Sequence, residues 1–449
     1  MSNAHATQSP AGIPAAEESR GGYRWIILTL VFFATTINYL DRQVISLLKD
    51  DYLEPLFKWS ESDYANIVIV FQLSYAIGML GVGWVIDKIG TKLGYALSLA
   101  VWSLAAIGHA FARSTAGFMV ARGTLGVSES GNFPAAIKTV AEWFPKKERA
   151  LATGLFNSGA NVGAIVAPLS VPFIAISMGW EWAFIITGVI GLVWLLFWFL
   201  FYEVPAKHKK LSKPELAYIN SDIDEAPEGP TETAGTKVSW TKLLTFRQSW
   251  AFIVGKFMTD GVWWFYLFWL PSYLNKEYHM TKTDVAIPIA AVYTMTTFGS
   301  IFGGWLSGYF MKLGWPVYKA RRTAMLVFAL AVLPVIAATT VGQFGAWYAV
   351  FIIGIAASAH QAWSANIFTT TSDMFPKKAV ASVTGLGGMA GGLGGMLISW
   401  TAGLLLDHYK MLNQMETGYF IMFMICGFAY IGAWVIFNLL APQMKKVQL

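Results

Sequence analysis

The sequence predicts an all-α membrane protein: twelve transmembrane helices in two pseudo-symmetric six-helix halves. Three observations predict it. The composition is that of a chain dissolved in lipid: 55% hydrophobic, only 13% charged, mean hydropathy +0.51 over 449 residues. A water-exposed surface needs about a quarter of its residues charged or more, so a soluble enzyme, a disordered chain and a disulfide scaffold are excluded. Apolar runs of about the 20-residue bilayer length recur twelve times. An internal repeat divides the twelve into two sets of six.

The expected spans are 24–48, 64–86, 93–112, 116–138, 151–173, 180–202, 249–275, 285–311, 322–340, 344–370, 379–407 and 416–441. Residues 1–22 are polar and Ala/Pro/Gly-rich; without a charged start leading into an apolar core they read as a disordered cytoplasmic tail, not a signal peptide. Residues 23–202 form the first six-helix bundle, 203–248 a polar cytoplasmic linker, 249–441 the second bundle and 442–449 a short tail. With the N-terminus inside, twenty-two of the 32 Lys and Arg fall in cytoplasmic segments and six outside, which orients both termini to the cytoplasm. The net charge of +6 then reflects basic cytoplasmic loops, and no nucleic-acid partner is expected. The single Cys426 cannot form an internal disulfide.

The repeat has a constant offset. Phe144-Pro145-Lys146-Lys147 followed by Gly154-Leu155 recurs as Phe375-Pro376-Lys377-Lys378 followed by Gly385-Leu386, and Gly163 falls on Gly394. Parallel six-span halves of this kind build transporters with a site near the midplane. Glycines cluster in spans 2, 5, 8 and 11, including Gly78, Gly159, Gly163, Gly299, Gly303, Gly387, Gly391 and Gly395. Such stripes admit close helix approach. Static packing explains one stripe; recurrence at equivalent spans favours surfaces that rock.

Charges inside spans cost about 2.5–3.5 kcal/mol each on insertion scales, so they are functional candidates. Asp41 and Arg42 lie in span 1, and Arg122 and Glu129 on one face of span 4, two turns apart. Asp41 and Arg122 are at similar depth and are expected to meet. An arginine fork suits a carboxylate ligand. Acids competing for that arginine would couple proton binding to anion binding; the bland alternative is a set of fixed ion pairs. Lys256 and Asp260 in span 7 are spaced for an intrahelical pair, or for Lys256 to reach a ligand or gate. Trp263, Trp264 and Tyr266 would line a sugar site or pack against lipid. Span 10 carries His360, Gln361 and Asn366, span 5 Asn157 and Asn161, and span 2 Tyr75, all suited to a polyhydroxylated ligand. No metal-ligand spacing, nucleophile elbow or phosphate loop is present, so no metal, no cofactor and no enzymatic activity are expected.

These residues resemble a known family. Gly83-Trp84-Val85-Ile86-Asp87-Lys88-Ile89-Gly90-Thr91-Lys92 resembles the gating loop motif of the major facilitator superfamily, with Thr91 where a basic residue is common. In the second half Gly304 is retained but Ser307 replaces the expected acid. Asn38-Tyr39-x-Asp41-Arg42, Gly126-x-x-Glu129-x-x-x-x-Pro134 and Trp143-Phe144-Pro145-x-x-Glu148-Arg149 resemble the anion:cation symporter family. The runs in spans 7 and 10 are similar to bacterial hexuronate transporters, and Ala160 stands where galactonate transporters have glutamine. The resemblance implies a proton-coupled importer of a sugar-acid anion, such as galacturonate or glucuronate, in the bacterial inner membrane; because both six-span halves lie in one chain, a monomer is expected. It implies that Asp41 and Glu129 are proton sites organised by Arg122, and that Arg42 and Tyr75 contact the sugar acid. The alternatives are an aldonate or other carboxylate symporter, an organophosphate antiporter, and a non-transporting nutrient sensor.

Overall fold

A spanning segment in hydrocarbon has no water for its N–H and C=O groups and must satisfy them internally. The computed structural model describes residues 22–221 and 240–448. In it each apolar run closes its hydrogen bonds as helix. The spans are: 1, Tyr23–Leu48; 2, Glu61–Ile89; 3, Thr91–His109; 4, Thr115–Glu129 and Asn132–Trp143; 5, Lys146–Met178; 6, Trp180–Phe201; 7, Arg247–Tyr278; 8, Ala286–Lys312; 9, Val317–Val332 continuing to Gly342; 10, Ala346–Met374; 11, Lys377–Met411; and 12, Met415–Leu440. The expected tail lies outside the described residues except Gly22, as does 222–239 of the linker.

Two spans expected to be continuous are broken. Span 4 stops at Glu129 and restarts at Asn132. Pro134 has no N–H for the Ser130 carbonyl, and the Ser130 hydroxyl bonds back to the Val127 carbonyl at 2.6 Å. Span 9 tightens to a 3-10 turn over Leu333–Ala337, around Pro334. Among the described residues nine helices are long and apolar enough to cross a membrane by composition alone. Spans 4, 7 and 10 are not among them: one is broken, and they hold Arg122 and Glu129, Lys256 and Asp260, and His360 and Asn366.

Each packing pair in the first half has a counterpart six spans later. Span 1 packs on 5 and 6, span 2 on 4, and span 3 on 6; span 7 packs on 11 and 12, span 8 on 10, and span 9 on 12. The halves meet along 2–11 and 5–8, a pair of seams that the same exchange interconverts. The repeat is visible at single atoms. A Cβ on Gly163 would collide with the Thr36 carbonyl oxygen of span 1, and one on Gly394 with the Phe257 carbonyl oxygen of span 7. Only glycine lets these backbones touch.

The ends of the molecule differ. At the end bearing the termini, Glu215 of the linker helix Lys213–Ile219 accepts from the Tyr23 and Arg24 amides at 3.2 and 3.1 Å, capping span 1. At the opposite end an ion-pair latch joins the halves. Lys49, wholly buried, donates to Glu61 at 2.9 Å and to Ser272 of span 7 at 2.6 Å. Lys276 holds Asp50 at 3.2 Å and Glu54 at 3.0 Å, and Lys410 of span 11 holds Glu54 at 2.6 Å. Asp407 of span 11 caps span 2 by accepting from the Glu61 and Ser62 amides at 2.8 and 2.9 Å. From there the 2–11 seam runs through Gln72 against Gly395 to Ala76 against Gly392. Further toward the termini, Gly83 and Gly385 have open space where a Cβ would stand.

Gly163→Ala and Gly394→Ala should each destabilise the protein by about 1–3 kcal/mol through overpacking, seen as earlier unfolding in detergent. Gly308→Ala, with nothing within 4 Å of its added Cβ, should be neutral or slightly stabilising. Removing Lys276 and Lys410 together should speed labelling of a cysteine placed at Asn275 by an impermeant thiol reagent several-fold; Cys426 is buried and stays silent.

Candidate functional site

Arg42 emerges from span 1 where both halves converge. Its guanidinium lies over Tyr39 and Tyr75, each with the ring centroid 4.7 Å away, with Phe71 at 5.5 Å. Trp264 of span 7 closes the frame from the other half at 5.9 Å. Aromatic faces stabilise a cation and hold the fork flat without consuming its donors. Its Nε donates to Glu129 Oε2 at 2.6 Å. The other Glu129 oxygen is buried without a hydrogen bond. The two terminal nitrogens of Arg42 carry no hydrogen bond among the described residues, leaving a planar pair of donors for a ligand carboxylate.

Asp41 and Arg122 lie near one another, but no ion pair forms between them. The ion pair joins Arg42 to Glu129, and Asp41 has none among the described residues. Successive helical residues point about 100° apart, so when Arg42 faces the interface Asp41 turns into the first bundle. There Asp41 is 2% exposed, with Arg122 and Thr187 among its neighbours and no hydrogen bond on either oxygen. Arg122 donates from Nη2 to the Arg42 carbonyl at 3.0 Å, a bond that sets the height of span 1 against span 4. Its Nε and Nη1 are buried and unpartnered. Such a cluster of unmet buried donors and acceptors is poised to exchange protons or ligands.

In the second half, Lys256 and Asp260 form the intrahelical pair at 2.7 Å, with the ammonium over the Phe368 ring at 4.0 Å. Trp263 stacks on His360 at 5.1 Å and meets Tyr293 edge-on at 5.9 Å. His360 Nδ1 shares a 2.5 Å hydrogen bond with the Tyr430 hydroxyl, which donates to the Thr259 carbonyl at 3.3 Å. Tyr266 is buried within this half near Cys426 and Tyr430. Gln361 and Asn161 are half-buried and Asn157 exposed. Asn366 is engaged elsewhere: its amide donates to the Gly303 and Ala362 carbonyls at 2.7 and 2.9 Å, and its oxygen accepts from Arg321 at 3.5 Å.

The gating motif lies at the termini end. Gly90 takes φ +85°, a left-handed turn between spans 2 and 3, and Gly83 sits within span 2. Lys92 pairs with Glu203 at 2.9 Å and holds that carboxyl below its usual range. The Asp87 side chain lies outside the described residues. Thr91 donates to Glu142 at 2.6 Å. At the repeat-equivalent position Asp373 receives Arg321 at 3.2 Å, and Arg321 also bonds Ser307 at 2.8 Å. The second half thus builds its clamp on Asp373 despite lacking the acid at Ser307. Glu142 and Asp373 were readable only through the repeat offset; Trp264 was among the aromatics of span 7 singled out in the sequence, though its contact with Arg42 was not, and Tyr430 is one aromatic among many, with no signal of its own. A shallow apolar groove along Val101, Leu104, Val120 and Thr124 touches none of these charges.

Two six-span halves with a charged, aromatic-framed site between them define a secondary transporter. The family model "Major Facilitator Superfamily" matches residues 31–399, and the chain belongs to that superfamily, whose members are transporters and not enzymes. It is 31% identical over 387 residues to the hexuronate transporter of Escherichia coli (strain K12), covering 86% of this chain and 88% of the relative. It is 33% identical over 329 residues to the galacturonate transporter of Dickeya chrysanthemi, covering 73% and 93%. Its fold matches the inward-facing, unoccupied structure of a bacterial homologue of the human lysosomal transporter Spinster, with TM-score 0.75 and 18% identity over 95% of this chain and 99% of that one.

Arg42→Lys keeps the charge but loses the planar fork between Tyr39 and Tyr75. Affinity for a carboxylate ligand should fall roughly tenfold or more, with little change in unfolding temperature, measured by ligand titration in detergent.

Proposed function

We propose that this chain imports a hexuronate anion together with protons by alternating access. The observation that carries the reading is the Arg42–Glu129 pair inside its aromatic frame, where spans of both halves meet. The similarity to transporters named for hexuronate and galacturonate supports the substrate class.

While Glu129 is ionised, its carboxylate occupies Nε of Arg42 and satisfies the cation. A proton on Glu129 removes that anion, and the substrate carboxylate takes its place on the guanidinium. The exchange keeps the buried charge nearly constant, which a low-dielectric site requires. Asp41, buried and unpartnered, is the second proton acceptor, and Arg122 sets its position relative to span 1. Tyr75, Trp263, His360 and Gln361 line the path for hydroxyl and C–H faces of the sugar; Lys256 stands below them. Asn157 and Asn161 of span 5 complete the polar lining.

With both termini cytoplasmic in the bacterial inner membrane, the latched end faces out and the opposite end faces in. The reading is then of an inward-open monomer, with residues 203–248 as a cytoplasmic linker between bundles 23–202 and 249–441. The open space at Gly83 and Gly385 supports it.

Labelled galacturonate uptake into proteoliposomes, under an inward proton gradient without sodium, tests the reading. Accumulation that collapses with a protonophore and is competed best by glucuronate is expected. No uptake under proton or sodium gradients would remove the substrate assignment; strong competition by galactonate would move it to aldonates. Binding without transport would favour a sensor. Glu129→Gln should lose proton-driven accumulation at least roughly tenfold yet retain counterflow exchange, because substrate exchange needs no proton cycle. Full proton-driven uptake by Asp41→Asn would remove Asp41 from the mechanism.

A further inference from the structure

Lys256, Asp260 and Trp264 are spaced four apart and share one face of span 7. At its Trp264 end that face meets Arg42 of the other half, 5.9 Å from the ring. Asp260 lies one turn nearer the termini, about 6 Å along the helix. Lys256 reaches up to Asp260, so its ammonium stands at the height of the Asp260 carboxylate, 2.7 Å from it. The site therefore contains two cations, one from each half and about one to two helical turns apart. Each is already neutralised by an acid: Arg42 by Glu129, Lys256 by Asp260.

The second pair is built with care. Gly391 of span 11 lies against Asp260; a Cβ there would collide with Oδ2, so the glycine makes the seat for the carboxylate. The Phe368 ring supports the ammonium from the other side at 4.0 Å. Within the pair, the Asp260 side chain is 19% exposed and that of Lys256 only 5%. Asp260 thus fills the position on Lys256 that a ligand would otherwise reach.

A hexuronate carries one carboxylate; its other end is a neutral carbonyl or hemiacetal. A hexarate, the corresponding six-carbon diacid, carries a carboxylate at each end. We infer that Asp260 is a specificity-determining residue: by occupying Lys256 it supplies the second carboxylate itself, so that the site accepts sugar monoacids and rejects sugar diacids. A diacid bound on Arg42 would bring its far carboxylate toward Asp260, where two anions would compete for one ammonium. A monoacid would present a hydroxyl or hemiacetal oxygen there, which needs no cation. This inference rests on the sugar-acid reading above, and extends it to the residue that counts the carboxylates.

The test compares galacturonate with glucarate. Purified full-length protein is assayed by thermal shift with each ligand, and proteoliposomes by competition of each against labelled galacturonate. Wild type should prefer galacturonate. Asp260→Asn frees Lys256, and the apparent affinity for glucarate relative to galacturonate should rise roughly tenfold or more, the worth of a charge-assisted contact. Gly391→Ala, which displaces the Asp260 carboxylate without changing any charge, should move selectivity the same way, and it carries the test if Asp260→Asn does not fold. Adding Lys256→Gln to Asp260→Asn should abolish the gain. Unchanged selectivity in a galacturonate-binding Asp260→Asn or Gly391→Ala protein overturns the inference, as does tight glucarate binding by wild type. Wild type that binds neither sugar acid overturns instead the sugar-acid reading on which it rests.

Discussion

The structure is organised around one constraint: a charge in hydrocarbon must have a counter-charge within reach. Arg42 meets it through Glu129 at 2.6 Å. The pair joins span 1 to the end of span 4, and the bond from Arg122 to the Arg42 carbonyl holds the same two spans in register. Span 4 breaks directly after Glu129, so the carboxylate sits at a helix end. The aromatic frame of Tyr39, Phe71, Tyr75 and Trp264 excludes water from the guanidinium while leaving its terminal donors free. The pair is neutral with both partners ionised, and in the proposed function the substrate anion arrives as a proton cancels the charge of Glu129.

The same rule recurs at three other places. Lys256 is matched by Asp260 in the second half. At the latched end, Lys49, Lys276 and Lys410 are matched by Asp50, Glu54 and Glu61. The three carboxylates lie close enough to suit a divalent cation, but the ammonium groups already supply the positive charge. At the termini end, Lys92 meets Glu203 and Arg321 meets Asp373. The first group joins residues of one half; in the second, Lys276 and Lys410 pair across the halves while Lys49 pairs within the first half and crosses only to Ser272; the last joins loops and span ends within a half. The distribution is the one that the proposed alternating access requires. Pairs within a half hold the rigid bodies, and the pairs that cross between halves are the ones a change of access must break.

The glycines supply the complementary property. Gly163 and Gly394 bring span 5 onto span 1 and span 11 onto span 7 at backbone contact, making each half stiff. The seams between halves, 2–11 and 5–8, rest on small residues and a few polar contacts such as Ser399 with Gln72 at 3.4 Å. Tight packing within each half, with polar contact between the halves concentrated at the latched end, is what the proposed alternating access of two rigid bundles requires.

Much of this was legible in the chain. Apolar runs placed all twelve spans, nine of them, among the described residues, by length and apolarity alone, because these are what a bilayer selects for, and the offset between Phe144 and Phe375 announced the duplication. The buried charges at 41, 42, 122, 129, 256 and 260 stood out because lipid makes them costly. The intrahelical Lys256–Asp260 pair could be read from spacing, since both partners ride one helix. The partner of Arg42 could not. Depth along a helix follows from counting, but rotation about its axis is decided by packing against neighbours. It was that rotation which turned Asp41 inward and gave Arg42 to Glu129. Trp264 at Arg42, Asn366 turned to Gly303 and Arg321, and the latch joining Lys49 to span 7 are contacts between elements far apart in sequence. One-dimensional periodicity carries no information about which faces of distant helices meet; only the three-dimensional packing of the two halves decides it.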